Sequence, residues 1–374
     1  MIYLDSAATT LQKPFAVPRA TAWAMQHLAS PGRGGHKAAA EAAEVAFACR
    51  EEAAALFHVP SPEQVVFTFN ATHGLNIAIK TLVKPGSRVL ISGYEHNAVT
   101  RPLHGIPEVT VQVAEAPLFD RQQILDAFRS GLEQGVGTVV CTHVSNVFGF
   151  VLPIEEIALL CRQYDVPLIV DASQSAGCIP LDFQTLGAAF VAMPGHKGLY
   201  GPQGTGLLLC GVEQPLPLLE GGTGSASLLQ TMPEVLPDRL EAGTHNIPGI
   251  AGLLEGLRYL RHRGVNSVGT HERQLIRRMG EGMSRLRGVE VFRSPSGTDQ
   301  AGVLSFRIPG KDCEEVGEQL GDWGFALRAG LHCAPLAHRT AGTLETGTVR
   351  ASVSAFNTPM EVQKLIQAVE RLSK

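Results

Sequence analysis

The sequence predicts an α/β fold on a mainly parallel, seven-stranded sheet flanked by helices, with a smaller α+β domain at the C-terminal end. Seven short apolar runs alternate with longer helical patterns over the first 210 residues. The runs are continuously apolar, as in strands buried on both faces, and series of strand, helix and strand favour parallel pairing. The last two runs are separated by less than a helix, so a hairpin is expected to end the sheet. The predicted strands span 65–69, 89–92, 109–113, 138–142, 167–171, 189–193 and 206–210.

Helical patterns fill the intervals at 38–57, 72–82, 121–134 and 154–164. After about residue 249 the pattern changes. Helical stretches at 250–262 and 269–287 lead to strands near 302–308, a helix near 313–323 and a last helix near 359–372. This part predicts the smaller domain.

Composition excludes several classes of protein. The chain has 374 residues, is 44% hydrophobic and carries a formal net charge of -4. It contains no Lys/Arg-rich block of the kind that marks nucleic-acid binders. We expect no signal peptide and no membrane span, and hence a cytoplasmic protein. Seven cysteines without a C-x-x-C pair favour neither a disulfide framework nor a zinc site, and no metal is expected.

Polar or glycine-rich segments directly follow five of the predicted strands, at 70–73, 93–97, 143–146, 171–174 and 194–197. Ligands of open parallel sheets bind outside the carboxyl ends of the strands. The sequence therefore predicts one site built from these five segments.

Lys197 and Asp171 are the chemically distinctive members of that set. A lysine amine can form a Schiff base with an aldehyde cofactor, and a buried carboxylate can pair with a pyridinium nitrogen. The alternatives are a surface lysine in a mobile loop and a helix N-cap. At 70–73 a helix start with Thr72 offers a phosphate site, compatible with ordinary capping by Asn70. His96 either stacks on a cofactor ring or is structural.

Cys333 lies in a short polar loop between Gly330 and Pro335, whereas the other cysteines lie mostly in apolar contexts. An inert thiol is the usual role of a cysteine. The loop position, with His332 and Arg328 nearby, favours a reactive thiolate instead.

Motifs along nearly the whole chain resemble those of fold-type I pyridoxal 5'-phosphate (PLP) enzymes of aminotransferase class V, in the cysteine desulfurase/selenocysteine lyase family. They are YLDSAATT (3–10), DASQSAG (171–177), GHKGLYGPQGTG (195–206), EAGTHN (241–246), RAGLHCA (328–334) and VRASVSAFNT (349–358). The R-x-G-x-H-C-A loop looks like that of the SufS-like subgroup. The resemblance implies a large PLP-binding domain at 14–250 and a small domain formed by 1–13 and 251–374.

The resemblance also implies residue roles. Lys197 would be the Schiff-base lysine and Cys333 the sulfur acceptor, with His96 stacked on the ring as the third catalytic residue. Substrate contacts would come from Arg350, which would bind the carboxylate, with Asn146 and Arg328. The remaining cofactor contacts would be Asp171 at the pyridine nitrogen, Gln174 and Asn146 at the phenolic side, Ala71, Thr72 and His196 at the phosphate, and Thr244 at the phosphate of the partner subunit.

The implied activity is a cysteine desulfurase that forms a Cys333 persulfide and L-alanine, and passes the sulfur to an acceptor protein. A selenocysteine lyase, or a lyase of another sulfur amino acid, is the alternative, and a non-catalytic PLP-fold module is a third interpretation. The resemblance also implies a homodimer.

Some positions depart from the family pattern. Pro194 replaces a Ser or Thr, Ala71 replaces the first Thr of a pair, and His73 replaces a Glu, which predicts a weaker phosphate site. The stretch 340–348 is an insert that either shapes substrate or acceptor choice or is a solvated loop.

Overall fold

The computed structural model describes residues 1–32 and 34–374. The strands are β1 (Ile2–Tyr3), β2 (Val65–Thr68), β3 (Arg88–Ser92), β4 (Thr110–Ala114), β5 (Thr138–Thr142), β6 (Leu168–Asp171), β7 (Phe190–Pro194), β8 (Gly206–Cys210), β9 (Glu290–Phe292), β10 (Val303–Arg307), β11 (Phe325–Ala326), β12 (Arg328–Gly330) and β13 (Thr348–Ser352). The helices are α1 (Ala16–His27), α2 (Lys37–Phe57), α3 (Ala71–Leu82), α4 (Asn97–His104), α5 (Arg121–Glu133), α6 (Ile154–Gln163), α7 (Phe183–Leu186), α8 (Ile247–Arg263), α9 (Val265–Met283), α10 (Cys313–Asp322), α11 (Pro335–Thr340) and α12 (Pro359–Ser373).

The large sheet has seven strands in the order β2-β8-β7-β6-β5-β3-β4. Strands β4, β3, β5, β6 and β7 pair in parallel, whereas β8 is antiparallel to both β7 and β2. Every residue of β5, β6 and β7 is buried, in agreement with their continuously apolar sequences. The predicted mainly parallel sheet and its closing hairpin are confirmed.

The parallel strands bring their carboxyl ends to one edge of this sheet. Helix α3 follows β2 and α4 follows β3, and both begin at that edge. Asn70 and His96 cap them, each accepting a hydrogen bond from a backbone N–H of the first turn. Both helix starts are therefore fixed beside the ends of β6 and β7.

The C-terminal part forms a second sheet with the order β12-β13-β10-β9. Helices α9, α10 and α12 bury a separate hydrophobic cluster against it. The N-terminal strand β1 pairs in parallel with β11, and Leu4 contributes to this same cluster. Helix α8 instead packs on α1 and α2, with its apolar residues in the core of the large sheet. The division at 13/14 and 250/251 stays a prediction.

Within the described residues, no helix is both long and apolar enough to cross a bilayer. The same residues contain no group of three or more His, Cys, Asp or Glu side chains placed to hold a metal ion.

Candidate active site

A single pocket at the carboxyl edge of the large sheet collects eight of the predicted site residues. Because β3, β5, β6 and β7 are parallel, the segments that follow them converge there. The eight are Ala71, Thr72, His96, Asn146, Asp171, Gln174, His196 and Lys197. Pro194 also lines this pocket.

Lys197 follows β7 and lies at the base of the pocket. Burial lowers the pKa of its amine to about 8; the Asp171 carboxylate opposes this shift and the Arg350 guanidinium adds to it. An amine with that pKa is substantially neutral in mildly alkaline solution, and a neutral amine is the form that adds to an aldehyde.

Asp171 ends β6 and is 3% exposed. Its Oδ1 accepts hydrogen bonds from the backbone N–H of Ser173, at 2.9 Å, and from the Ser173 hydroxyl. These bonds hold the carboxylate at the rim of the sheet. Asp171 thus caps the turn that follows β6 and lines the pocket at the same time, so the two interpretations of the sequence are compatible.

The first turn of α3 forms one end of the pocket. Asn70 Oδ1 accepts from the backbone N–H of His73 at 2.9 Å, and Ala71 and Thr72 line the pocket directly. Across from them, burial lowers the pKa of His196 to about 4, and its buried Nδ1 has no hydrogen-bond partner among the described residues. A helix N-terminus beside an unpaired ring nitrogen suits an anion.

His96 combines its two predicted roles. Its Nδ1 accepts the N–H of Ala98 at 3.0 Å as the cap of α4, and its ring lines the pocket. Burial lowers the pKa of the imidazole, with Asp171 acting in the opposite direction. The ring is therefore uncharged at neutral pH and can stack on a flat ligand.

Gln174 and the N-terminal segment meet at the side of the pocket. The Nε2 of Gln174 donates to the carbonyl oxygen of Ala7 at 2.9 Å. Thr9 and Thr10 donate their hydroxyls to the carbonyl oxygen of His196 at 3.2 and 3.0 Å. The YLDSAATT motif is thus part of the wall around the site.

Arg350, on β13 of the second sheet, does not line the pocket itself but bonds to the pocket residue Asn146. It is 3% exposed, and its Nη1 donates to the carbonyl oxygen of Asn146 at 3.0 Å. Its Nη2 donates to Oδ1 of Asp5 at 3.0 Å, and its buried Nε has no partner among the described residues. Arg328 donates Nε and Nη2 to the other oxygen of Asp5, at 3.2 and 2.9 Å.

Sequence reasoning gave no role to Asp5, although it stands inside the YLDSAATT motif. The carboxylate joins two arginines that are more than 320 residues away in the chain, and neither spacing nor periodicity reveals such a contact. The signal that could have indicated Asp5 is the YLDSAATT motif, in which an acidic residue stands next to small residues.

The Cys333 loop follows β12 and packs beside the pocket. Its backbone is anchored at two points: Asn97 N–H donates to the Cys333 carbonyl and Asn146 Nδ2 donates to the His332 carbonyl, both at 2.8 Å. His332 and Cys333 adopt φ values of 50° and 56°, a left-handed conformation that non-glycine residues rarely adopt. The loop thus carries two consecutive strained residues, and the Cys333 side chain is exposed.

The His332 side chain is turned inward. Burial lowers the pKa of its imidazole far below its ordinary value, and Nε2 lies 3.1 Å from the carbonyl oxygen of Thr348. The His332 ring is therefore uncharged and connects the Cys333 loop to β13.

Thr244 lies outside the pocket of its own chain. It is exposed and lines a separate depression together with His73, whose ring stacks on Phe69 at a centroid distance of 4.6 Å. His73, which replaces a Glu of the family pattern, therefore does not line the main pocket.

The EAGTHN segment that carries Thr244 is anchored through Glu241. Glu241 accepts from Arg50 Nη1 at 2.8 Å, from Arg50 Nη2 at 2.6 Å and from the backbone N–H of Phe67 at 2.6 Å. The Arg50 side chain is 10% exposed and that of Glu241 is 2% exposed. This buried ion pair fixes the segment against β2.

Two further features were not predicted. Glu95, fully buried after β3, accepts from the Thr142 N–H at 2.7 Å and from the Ser92 hydroxyl, and burial raises its pKa to about 8. In the insert at 340–348, Thr340 donates its hydroxyl to the Gly93 carbonyl at 2.8 Å, and Thr343 is buried. Gly342, Glu345 and Thr346 of the insert are exposed, so it contains both packed and solvated residues, and both interpretations of it stay predictions.

The fold and the pocket define a protein of the aminotransferase class, and the chain belongs to the aminotransferase class-V family, whose model matches residues 2–365. A protein of Methanothermobacter thermautotrophicus named "Probable cysteine desulfurase" is 32% identical over 100% of this chain and 94% of its own length. A protein of the same name from Mycolicibacterium paratuberculosis is also 32% identical over 100% of this chain, which spans only 56% of that longer relative.

A solved structure supports the same family. The apo structure of a cysteine desulfurase from Thermococcus onnurineus NA1 superposes with a TM-score of 0.92 at 30% identity, over 100% of this chain and 94% of that one. The predicted fold class and family are confirmed by these comparisons. The SufS-like subgroup stays a prediction.

The residues of the pocket match the functional groups of PLP. Lys197 offers an amine for the aldehyde, Asp171 a carboxylate for the ring nitrogen, and the first turn of α3 offers N–H groups for the phosphate. Buried polar atoms without partners among the described residues, Asn146 Oδ1 and His196 Nδ1, are further available to a polar ligand.

Proposed function

We propose that this protein is a PLP-dependent cysteine desulfurase, which transfers the sulfur of L-cysteine to Cys333 and releases L-alanine. The observation that carries the proposal is the placement of Cys333. All seven cysteines lie in the described residues; six are buried, and Cys333 is the exposed one. Its loop is bonded to Asn146 and Asn97, which lie at the pocket and next to the pocket residue His96.

In this proposal Lys197 would hold the cofactor, Asp171 would pair with its ring nitrogen and His96 would stack on the ring. Gln174 and Asn146 would contact the phenolic side. Ala71, Thr72 and His196 would hold the phosphate, to which Thr244 of the partner subunit would also donate. When bound, PLP supplies an electron sink that stabilises negative charge on the substrate carbon.

Different residues would bind L-cysteine and transfer its α-proton. Arg350 binds the substrate carboxylate through its unpaired Nε, which keeps the α-carbon near Lys197. The neutral amine of Lys197 accepts the α-proton at Nζ and later returns a proton to carbon. Asn146 and Arg328 complete the substrate contacts.

Cys333 then acts as the nucleophile. Its thiolate attacks the substrate sulfur, so that a new S–S bond forms and the substrate Cβ–Sγ bond breaks. The electron pair of the broken bond stays on carbon, which is protonated to give L-alanine. The persulfide on Cys333 is exposed, and its outer sulfur is transferred to the thiol of an acceptor protein.

Single-turnover mass spectrometry tests the proposal. PLP-loaded protein is mixed with L-cysteine in the absence of reductant, and the Cys333 peptide is analysed beside the amount of alanine formed. We expect the mass of one sulfur on that peptide and an equal amount of alanine. Cys333→Ala should abolish both, whereas the matched control Cys313→Ala, which alters a buried thiol, should retain both.

Other outcomes separate the alternatives. Alanine formed from L-selenocysteine but not from L-cysteine, by the wild type and by Cys333→Ala alike, would indicate a selenocysteine lyase. Full sulfur release from L-cysteine by Cys333→Ala would refute the role of this thiol. The lack of any band near ~420 nm, expected for a lysine–PLP Schiff base, would favour a non-catalytic module.

The assembly proposed is a cytoplasmic homodimer. Thr244 is exposed in the single chain, and the preceding segment exposes Leu228, Leu229 and Val235 at 97%, 55% and 66%. An exposed apolar patch beside a site segment is typical of a subunit interface. Sedimentation equilibrium should give twice the chain mass, and a monomer that retains full activity would contradict the shared site.

A further inference from the structure

We infer that Asp5 is a positioning residue that fixes the arginine pair for a single substrate carboxylate. This inference deepens the proposed function and rests on it. The contacts of Asp5 supply the argument, since one carboxylate bridges Arg350 and Arg328 with three charge-assisted hydrogen bonds of 2.9 to 3.2 Å.

The bonding of Arg350 leaves one part of its guanidinium available. Nη1 is directed at the Asn146 carbonyl and Nη2 at Asp5, so the plane of the group is fixed from two sides. Nε is buried and has no partner among the described residues. An unpaired donor in a buried cation is costly, and a carboxylate ligand would satisfy it.

The charges of Arg350, Arg328 and Asp5 also favour a site for one carboxylate. Arg350 and Arg328 carry two positive charges, and Asp5 compensates one of them. The remaining charge matches the single α-carboxylate of a neutral amino acid. Without Asp5 the two guanidinium groups would repel each other, and Arg350, only 3% exposed, would lose the one ionic partner that it has among the described residues.

Asp5 itself is well supported. It is 8% exposed, and its neighbours are held by the C-terminal sheet: Ser352 Oγ accepts the N–H of Ala7 at 2.8 Å, and the N–H of Ser352 donates to the Leu4 carbonyl at 2.7 Å. The carboxylate is therefore placed by backbone pairing and not by the arginines alone. Such support is what a positioning role requires.

The test compares two ligands that differ only in the carboxylate, L-alanine and L-alaninamide. Their dissociation constants are measured from the absorbance change of the PLP-loaded full-length protein, for wild type, Asp5→Asn and the control Glu290→Gln. Asp5→Asn should weaken L-alanine binding about tenfold, equivalent to ~1.4 kcal/mol, and leave L-alaninamide binding unchanged. Glu290→Gln makes the matched change in a carboxylate that pairs with Arg307 elsewhere on the same sheet, and it should bind both ligands as wild type does.

Steady-state kinetics provides a second measurement. Asp5→Asn should raise KM for L-cysteine with little change in kcat, and Asp5→Glu should recover part of the loss. Equal weakening of both alanine ligands, or unchanged binding of both, would overturn the inference. If wild type itself gives no absorbance change with either ligand, the proposed function fails independently of Asp5. If Asp5→Asn does not fold, Arg328→Gln tests the same pair and should also weaken only L-alanine.

Discussion

Removing both members of the buried pair Arg50–Glu241 should destabilise the protein by much less than the sum of the two single losses. Glu241 accepts three hydrogen bonds of 2.6 to 2.8 Å from Arg50 and Phe67, and both charged side chains are at least nine-tenths buried. Glu241→Leu leaves a buried guanidinium without its anion, and Arg50→Met leaves a buried carboxylate. Each single variant should lose ~3–5 kcal/mol of unfolding free energy.

The double variant Arg50→Met/Glu241→Leu carries no buried charge. It leaves the N–H of Phe67 and the carbonyl of Val65, which also bonds Arg50, without these partners. Each unsatisfied group costs ~1–3 kcal/mol, so the loss of stability in the double variant should be smaller than the sum of the two single losses by at least ~2 kcal/mol.

Urea unfolding of the apo-protein at one fixed protein concentration measures these free energies. His245→Ala is the control, because His245 contacts Glu241 at 3.1 Å but is itself partly exposed. This substitution should lower the unfolding free energy by less than ~1 kcal/mol. Additive losses in the double variant, or a loss below ~1 kcal/mol in Glu241→Leu, would show that the pair does not anchor this segment.

Three further predictions concern the cofactor pocket. Pro194→Ser should tighten PLP binding about tenfold, measured by equilibrium dialysis, because it restores a hydroxyl toward the phosphate; unchanged affinity would mean that the hydroxyl does not reach it. PLP uptake by the apo-protein, followed at ~420 nm, should increase as pH rises through the Lys197 pKa of about 8, because only the neutral amine reacts; a rise confined to pH near the ordinary value of 10.5 would refute this. Gly177→Ala should abolish PLP loading, because its Cβ would lie 2.1 Å from the carbonyl oxygen of Gly198, the residue directly after Lys197. Gly135→Ala, also at positive φ but with open space, should lose only ~1–2 kcal/mol of stability and load PLP normally. Equal loading by both glycine variants would contradict the close-contact argument.

The large sheet could be predicted because its strands are buried on both faces. Continuous apolar runs such as 138–142 and 206–210 coincide with β5 and β8 to the residue. Helix ends were less well placed: α8 begins at Ile247 instead of 250, since Asn246 caps it through the N–H of Gly249. Three other elements were not predicted: β1 has only two residues, α4 contains Pro102, and β13 carries Arg350 and Ser352 in a buried strand instead of a continuous apolar run.

The candidate site was predictable where a chemically distinctive residue lies at or directly after the end of a strand. Asp171 ends β6 and Lys197 follows β7. Both residues could be located because ligands of parallel sheets bind at the carboxyl ends of the strands. Asp5 could not be placed in this way, because its position depends on β1 pairing with β11 and on side-chain contacts across the whole chain. The burial of the His332 side chain could not be predicted either. It results from the left-handed backbone at His332 and Cys333, which the sequence RAGLHCA does not indicate.

The pairing of β1 with β11 has a consequence for the order of assembly during synthesis. The N-terminal segment emerges first, yet its sheet partners Phe325 and Ser352 and its ionic partner Arg350 are made more than 300 residues later. The strands of the large sheet are complete by residue 210, so the sheet can form the pocket around Lys197 while the cluster of Asp5, Arg328 and Arg350 is still missing. In the proposed function, a nascent chain would therefore acquire its cofactor lysine before its substrate-binding arginines, and the pairing of β1 with β11 marks the moment at which the two parts become one site.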